Sequence, residues 1–274
     1  MKLKQKLNAS LLKVDKKARF TIYSALVSLF VLLFAFGGSF EYRVLYTFLA
    51  LACSILGVFI IQFPSVSFRN FSTHSLMPFH LTVGVLGSFY YFPNLSIYIK
   101  ITLVILFFIA LYIASLINNI FLVIEERSES IPLYRAALTW MQILLISLTI
   151  PFFASVFKIN VNAIVQNFIA SLSSASLVMY LIWSYSFEDS HKNLSRGEKS
   201  SLVIFTMFFV FFSGLAVSFI PTESFLRSIF VASVFMFCLN YVSETLKNNV
   251  TMNLIVQHLV ITATFLAILL VFNP

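Results

Sequence analysis

Long apolar runs alternate with short polar breaks along the whole chain. A helix needs about 20 apolar residues to cross a hydrocarbon core, and nine runs reach or approach that length. The breaks between them contain proline, paired glycine or charged residues, which interrupt or end helices. This pattern predicts an all-α, polytopic helical membrane protein with about nine transmembrane helices. The runs cover approximately 20–38, 43–63, 76–92, 96–124, 132–157, 161–187, 200–220, 224–243 and 250–272.

Composition agrees with this class. Of the 274 residues, 60% are hydrophobic and 10% are charged, and the mean hydropathy is +0.96. Soluble domains carry about 25% charged residues, so this chain has too few charges to cover a water-exposed surface. We therefore expect residues 20–274 to form one transmembrane helical bundle. Residues 1–19 would form a basic cytoplasmic tail or an interfacial helix bound to anionic lipid.

The distribution of basic residues predicts the orientation. With the N-terminus in the cytoplasm and nine crossings, the outer side holds Arg43, Lys100, Lys158 and Arg227, which leaves fourteen of the eighteen basic residues inside. Such a bias is typical of the cytoplasmic side of membrane proteins. It predicts an inner N-terminus and an outer C-terminus. The third run, 76–92, is the shortest, and losing it would remove the bias.

The acidic residues argue against several functions. All ten lie in tails, loops or the last turns of the runs, whereas carboxylates inside a membrane usually mark ion paths, proton relays or proteolytic sites. The chain also lacks the G-x-S-x-G, H-E-x-x-H and Walker motifs. We predict that the protein is not an enzyme and has no cofactor or metal site. The basic N-terminus has no folded module typical of nucleic-acid binding, so we expect no nucleic-acid partner.

Four polar residues near the predicted cytoplasmic ends of the last two runs form a candidate polar site. Asn240 and Glu244 are four residues apart and share a helix face, while Gln257 and His258 lie at a similar depth on the next helix. Two interpretations stay open. The residues form a site open to the cytoplasm, with Gln142 and His80 as possible additions, or they form interhelical hydrogen bonds of about 0.6 kcal/mol each.

The junction between the fourth and fifth runs contains a candidate docking surface, made of Glu125, Glu126, Arg127 and Arg135. An upright helix starting near residue 96 would leave the hydrocarbon core near residue 116, so we expect Asn118 and Asn119 to be hydrated among lipid headgroups. The charged residues would then lie in water. They form either a simple exit and re-entry of the chain or a surface that binds a protein partner.

A resemblance covers this junction. The stretch "NNIFLVIEERSESIPLYRAA" (118–137) resembles the corresponding stretch in a family of uncharacterised multi-pass membrane proteins from candidate-phylum bacteria. The resemblance implies a helical bundle in the inner membrane of a bacterium. It implies no activity, substrate or catalytic residue.

Small residues predict where helices approach closely. In the sixth run, Ala170 and Ser174, and likewise Ser171 and Ala175, have small-xxx-small spacing, so we expect this helix to be central.

Two functional hypotheses follow. The first is a non-enzymatic scaffold or subunit that acts through its cytoplasmic face, in contact with membrane lipids and a protein partner. The alternative is a carrier for a small neutral or lipid-like solute that enters near Asn240, Gln257 and His258. A cavity at these residues would favour the carrier.

Overall fold

A computed structural model describes residues 15–63, 65–66, 70–127, 132–187 and 194–272, with the side chain of Arg127 excepted. The described residues form nine α-helices and no strand, which confirms the predicted all-α class. The helices are α1 (Lys16–Phe36), α2 (Phe40–Ile61), α3 (Phe71–Tyr91), α4 (Ile97–Arg127), α5 (Leu133–Val156), α6 (Ala163–Tyr185), α7 (Arg196–Ser218), α8 (Ser224–Leu246) and α9 (Met252–Val271).

Eight of the helices in this part of the chain are long and apolar enough to cross a membrane. The exception is α3, which has sufficient length, 21 residues, but a less apolar composition. Its polar side chains His74, Ser75, His80 and Thr82 are buried inside the protein. A helix whose polar groups face other helices can tolerate a lower hydropathy than one that faces lipid. The nine predicted helices are thus present, while composition supports eight of the nine predicted crossings.

Several helices begin earlier than predicted, by four residues in α1 and α7 and by five residues in α3. The first helix, α1, begins at Lys16, so residues 16–19 belong to it rather than to the predicted tail. The α7 helix begins at Arg196, where Ser195 and Glu198 form a capping box. The Ser195 hydroxyl accepts from the Glu198 amide at 3.3 Å, and the Ser195 amide donates to the Glu198 carboxylate at 2.8 Å. The remaining tail, residues 1–14, lies outside the described residues.

The chain divides into two compact units, residues 1–137 and residues 138–274, with the boundary inside α5. The sequence predicts a single transmembrane bundle for residues 20–274.

In the first unit, α1 packs against α2, α3 and α4, and α3 packs against both α2 and α4. The α1–α2 contact is close because Gly57 has no side chain. A Cβ atom at this position would overlap the ring of Tyr23. The Tyr23 hydroxyl donates to the Ser54 carbonyl oxygen at 2.8 Å, so its ring is held in place. Glycine at residue 57 is therefore required by packing.

In the second unit, α6 packs against α7 and α8. The small residues Ala170, Ser171, Ser174 and Ala175 are all buried, which confirms that α6 uses its small-residue face for packing. A second close approach lies between α6 and α7. A Cβ atom at Gly214 would overlap Oδ1 of Asn167, a fully buried side chain whose amide donates to the Ser218 hydroxyl at 3.1 Å.

Candidate functional site

The four residues of the predicted polar site do not act as one group. Glu244 stabilises the turn between α8 and α9. Its carboxylate accepts a hydrogen bond from the Lys247 ammonium at 2.7 Å and another from the Asn249 side-chain amide at 3.1 Å. Burial lowers the pKa of Lys247, but its hydrogen bond to Glu244 and the nearby negative charges outweigh burial, so its pKa lies above the ordinary value. Asn248 between them has φ 55°, a left-handed conformation that asparagine tolerates. Both oxygens of the Glu244 carboxylate are therefore already hydrogen-bonded within this turn.

The other three residues differ in surroundings. Gln257 is exposed, while Asn240 and His258 are half-buried. His258 borders a large cavity, and its ring centroid lies 6.0 Å from that of Phe237. Its Nδ1 atom is shielded from solvent and has no hydrogen-bond partner in the described part of the chain. Of the four predicted residues, His258 alone belongs to the described lining of this cavity.

The cavity lies within the second unit and has a volume of about 580 Å³. We refer to it as the aromatic cavity. It is bordered by α7, α8 and α9, and its described lining consists of Phe205, Phe209, Phe230, Val234, Phe237, Tyr241, Ile255, His258, Leu259, Thr262, Ala263 and Leu266. Ligand cavities in proteins have volumes of about 300–1,000 Å³, and most of their lining is apolar. This cavity has the size and the surface of such a site.

Its shape follows from two antiparallel helices. The lining runs from Phe230 to Tyr241 on α8 and from Ile255 to Leu266 on α9. At 1.5 Å per residue, each stretch extends for about 17 Å along the helix. Tyr241 and His258 thus lie toward the end of the cavity near the α8–α9 turn, whereas the opposite end is lined by Phe230 and Leu266.

The wall formed by α7 and α8 is a connected group of aromatic rings. The ring of Phe205 lies 4.5 Å from that of Phe209 and 5.0 Å from that of Tyr241, measured between centroids. Phe237 lies 6.1 Å from both Phe209 and Tyr241. Such rings offer a broad apolar surface with low conformational entropy. The arrangement can bind an elongated apolar molecule and can donate or accept one or two hydrogen bonds at one end.

Gln142, which the sequence suggested as an addition to the polar site, joins a different group in the second unit. Its amide donates to the Tyr185 hydroxyl at 3.1 Å and to the Ser243 hydroxyl at 2.9 Å, and these two hydroxyls are 2.6 Å apart. The three residues connect α5, α6 and α8. Sequence reasoning missed Tyr185 and Ser243. Ser243 directly precedes Glu244, but consecutive helix residues point about 100° apart, so the two side chains meet different neighbours.

In the first unit, the predicted hydration of Asn118 is wrong. Asn118 is 1% exposed, and its amide donates to the His74 carbonyl oxygen at 3.0 Å. In a regular helix this carbonyl would accept from the amide of residue 78, but residue 78 is a proline and has no N–H group. Asn118 replaces the missing donor. Asn118 is buried because α3 begins at Phe71, five residues earlier than predicted, and covers this part of α4.

Other polar side chains at this end of the first unit also bind backbone or side-chain oxygens. The Gln62 amide donates to the Ser115 carbonyl at 2.9 Å, and the Arg19 guanidinium donates to the Phe63 carbonyl at 3.2 Å. Lys16 donates to the Asn119 side chain at 3.3 Å. His80 also belongs to this unit, and its Nδ1 lies 2.8 Å from the Leu76 carbonyl oxygen. The contacts of Gln62, Arg19 and Lys16 join different segments of this unit, whereas the His80 contact lies within α3.

The predicted docking surface is partly described. Glu125 and Glu126 are exposed at the end of α4, and the Glu125 carboxylate accepts from the Asn70 amide at 2.7 Å. Arg135 is exposed on the first turns of α5. The side chain of Arg127 lies outside the described set. No three histidine, cysteine, aspartate or glutamate residues of the described part are placed to hold a metal ion.

Comparisons with protein-family models, curated proteins and solved structures give no match for this chain. Its function must therefore be inferred from its own geometry.

Proposed function

We propose that this integral membrane protein is a non-enzymatic carrier for a lipid-like molecule, which binds in the aromatic cavity. The observation on which the proposal rests is the combination of a cavity of about 580 Å³ with a shielded, unpartnered Nδ1 of His258 in the described structure. An unpaired buried polar atom is unfavourable by about 1–3 kcal/mol, and a ligand recovers that free energy once the His258 ring turns its shielded Nδ1 toward the cavity.

The chemistry of the lining selects the class of ligand. An elongated hydrocarbon fits the aromatic wall, and a neutral hydroxyl or amide group fits the end with Tyr241 and His258. The described lining contains no carboxylate, lysine or arginine, so the site offers no ion pair to a charged headgroup. These features support the lipid-like form of the carrier hypothesis over the small neutral solute.

The packing of α9 supports movement of the ligand. Leu269 is the one buried residue of this helix, and 6% of its apolar window is buried inside the protein. A helix with so little buried surface has a low cost of local displacement. Since α9 supplies half of the lining, its displacement would open the cavity toward the lipid around it.

A flux assay with a matched pair of variants tests the proposal. The protein is reconstituted into liposomes with a fluorescent long-chain lipid that has a neutral headgroup, and exposure of the dye to an impermeant quencher is followed. Ala263 lines the cavity, whereas Ala267, on the same helix, does not belong to the described lining. Ala263→Phe should fill the cavity and slow the protein-dependent flux about tenfold, since a loss of about 1.4 kcal/mol in binding corresponds to that factor.

Ala267→Phe adds the same side chain to the same helix and should keep the flux of the unmodified protein. Equal flux in liposomes with and without protein would contradict the carrier function, as would equal inhibition by both variants.

The scaffold hypothesis has one observation in its favour, the adjacent exposed carboxylates of Glu125 and Glu126. Crosslinking in native membranes, with a photoreactive residue in place of Glu126, tests it. Recovery of one defined protein partner, lost when Glu125 is changed to Lys, would support a subunit of a complex. A protein that is recovered alone and shows lipid flux would exclude that function.

The proposal includes a location in the inner membrane of a bacterium, with the N-terminus on the cytoplasmic side. In a variant without Cys53 and Cys238, a cysteine introduced at Asn94 should react with an impermeant reagent added to intact cells. A cysteine introduced at Ser195 should react only after the membrane is opened. Both positions are exposed, so reactivity reports the side of the membrane rather than burial. The reverse result would invert the orientation.

A further inference from the structure

A second cavity, in the first unit, has a different chemistry. It has a volume of about 470 Å³ and lies between α1, α2 and α3. We call it the arginine groove, because Arg43 is the one charged residue of its described lining. Its lining comprises Phe34, Phe40, Arg43, Val44, Thr47, Phe48, Leu51, Val83, Leu86, Gly87, Tyr90 and Tyr91.

The polar and apolar parts of the groove are separated along its length. Arg43 lies on the first turns of α2, and Tyr90 and Tyr91 lie on the last turn of the antiparallel α3. The apolar lining continues from there to Leu51 and Val83, eight residues farther along each helix, which corresponds to about 12 Å. One end of the groove is thus cationic and aromatic, and the rest is hydrocarbon.

The position of Arg43 keeps donors available. Its Nε donates to the Gly37 carbonyl oxygen at 2.8 Å, which orients the guanidinium at the end of α1. A guanidinium has five N–H donors, so the terminal amino groups remain for a ligand. Arg43 forms no salt bridge within the described residues. Glu41, two residues earlier on the same helix, is exposed.

A second cation, Lys100 of α4, lies near the C-terminal end of α1. The Lys100 ammonium donates to the Ala35 carbonyl oxygen at 3.4 Å and lies 5.8 Å from the centroid of the Phe36 ring. Lys100 also has no salt bridge in the part of the chain that is described. Two positive charges therefore surround the last turn of α1. The partial negative charge of a helix C-terminus offsets only part of them.

We infer that the arginine groove binds a phospholipid with an anionic headgroup, whose phosphate contacts Arg43 and whose acyl chain lies along Val44, Leu51 and Val83. The inference does not depend on the aromatic cavity or on its proposed function. Arginine binds phosphate with paired hydrogen bonds. Basic pockets between transmembrane helices hold anionic lipid headgroups on the cytoplasmic side of membranes, and Arg43 with Lys100 offers the same chemistry on the predicted outer side. Tyrosines at the same level are typical of a membrane interface.

The full chain, purified in a mild detergent, provides the test. It is incubated with equal amounts of phosphatidylglycerol and phosphatidylcholine that have identical acyl chains, and native mass spectrometry measures the ratio of the two bound lipids. Phosphatidylglycerol should be preferred. Arg43→Gln should lower this preference about fivefold, since a basic residue near an anionic lipid contributes about that factor. Arg43→Lys keeps the charge and should retain most of the preference.

The matched control is Arg227→Gln, the same substitution at another arginine of the predicted outer side, which packs on the Phe157 ring at 5.7 Å. It should leave the preference unchanged. An equal loss in both Gln variants would show unspecific attraction by surface charge and would overturn the site.

Two further measurements complete the test. The first distinguishes a lipid phosphate from free phosphate, and the second remains informative if Arg43→Gln does not fold. Inorganic phosphate should not displace the lipid, because it lacks the acyl chain; full displacement by phosphate would show a free-anion site instead. Val83→Phe keeps Arg43 but fills the apolar part of the groove, and it should reduce the bound phosphatidylglycerol. If Arg43→Gln does not fold, this variant decides, and undiminished lipid binding would contradict the inference.

Discussion

The two units use buried polar side chains in different ways. In the first unit, Asn118, Gln62 and Arg19 donate to backbone carbonyl oxygens of neighbouring helices. In the second unit, Gln142, Tyr185 and Ser243 bond to one another through their side chains. His258, whose buried Nδ1 has no partner in the described part of that unit, borders a cavity instead.

This difference shows what distinguishes a structural polar residue from a candidate site. Within a membrane, a polar side chain whose donors and acceptors are used inside the protein stabilises the bundle. A ligand site requires a cavity next to a polar atom that is not yet used. Arg19 Nε and Gln62 Oε1 are also buried without a partner in the described structure, so the adjoining cavity, rather than an unpaired atom alone, distinguishes His258.

The largest expected effect concerns close contacts between helices, one of which lies inside each unit. Gly57→Ala in the first unit and Gly214→Ala in the second should each lower the free energy of unfolding by about 2 kcal/mol, because the added Cβ overlaps Tyr23 or Asn167. Gly38→Ala is the control. It has no atom within 4 Å of the added Cβ and should change stability by less than about 0.5 kcal/mol.

Unfolding can be followed for each unit. Both tryptophans, Trp140 and Trp183, belong to the second unit, so their fluorescence reports that unit, while circular dichroism reports all helices. Gly214→Ala should shift the fluorescence transition. If Gly38→Ala were as destabilising as the other two variants, close packing would not be the cause.

A smaller effect tests the backbone-directed bonds of the first unit. Asn118→Leu should lower the free energy of unfolding by about 1 kcal/mol, because the His74 carbonyl loses the donor that replaces the missing N–H of Pro78. Pro78→Ala restores that N–H. In the Pro78→Ala background, Asn118→Leu should therefore have less than about half of its effect. Circular dichroism of the four variants measures the coupling, and equal effects in both backgrounds would refute this role of Asn118.

The smallest effect concerns the side-chain network of the second unit. Gln142→Leu removes two donated hydrogen bonds but leaves the 2.6 Å contact between Tyr185 and Ser243 intact. The expected loss is about 0.6 kcal/mol in all, because Tyr185 and Ser243 stay hydrogen-bonded to each other after Gln142 is removed. Tryptophan fluorescence during unfolding measures it. A loss of lipid flux in Gln142→Leu without a loss of stability would move the functional site to this network and would break the comparison.

The fold was largely predictable from the sequence, since each helix coincides with an apolar run. The exceptions have local physical causes. The capping box at Ser195 extends α7 into polar sequence, and polar residues such as His74 make α3 less apolar than the other helices. Pro78 indicates in advance that the His74 carbonyl lacks its helical donor, but that Asn118 supplies the donor follows only from the packing of α4 on α3.

The candidate site was less predictable. His258 was identified from its type and depth, but its association with Asn240, Glu244 and Gln257 was inferred from helix register alone. Register does not determine which side chains a turn will use, and the α8–α9 turn uses Glu244. The aromatic cavity arises from the separation of α9 from α7, which depends on packing among residues distant in sequence.

Binding of a lipid-like molecule in the aromatic cavity is tested most directly by photo-crosslinking. The probe is a long-chain alcohol that carries a diazirine on its hydrocarbon chain. Labelling is expected on peptides of α7, α8 and α9 that line the aromatic cavity. Labelling should be lost in Ala263→Phe and retained in Ala267→Phe, and excess unlabelled alcohol should compete for it. Uniform labelling of all helices exposed to lipid, equal in the two variants and insensitive to competitor, would contradict binding in the cavity.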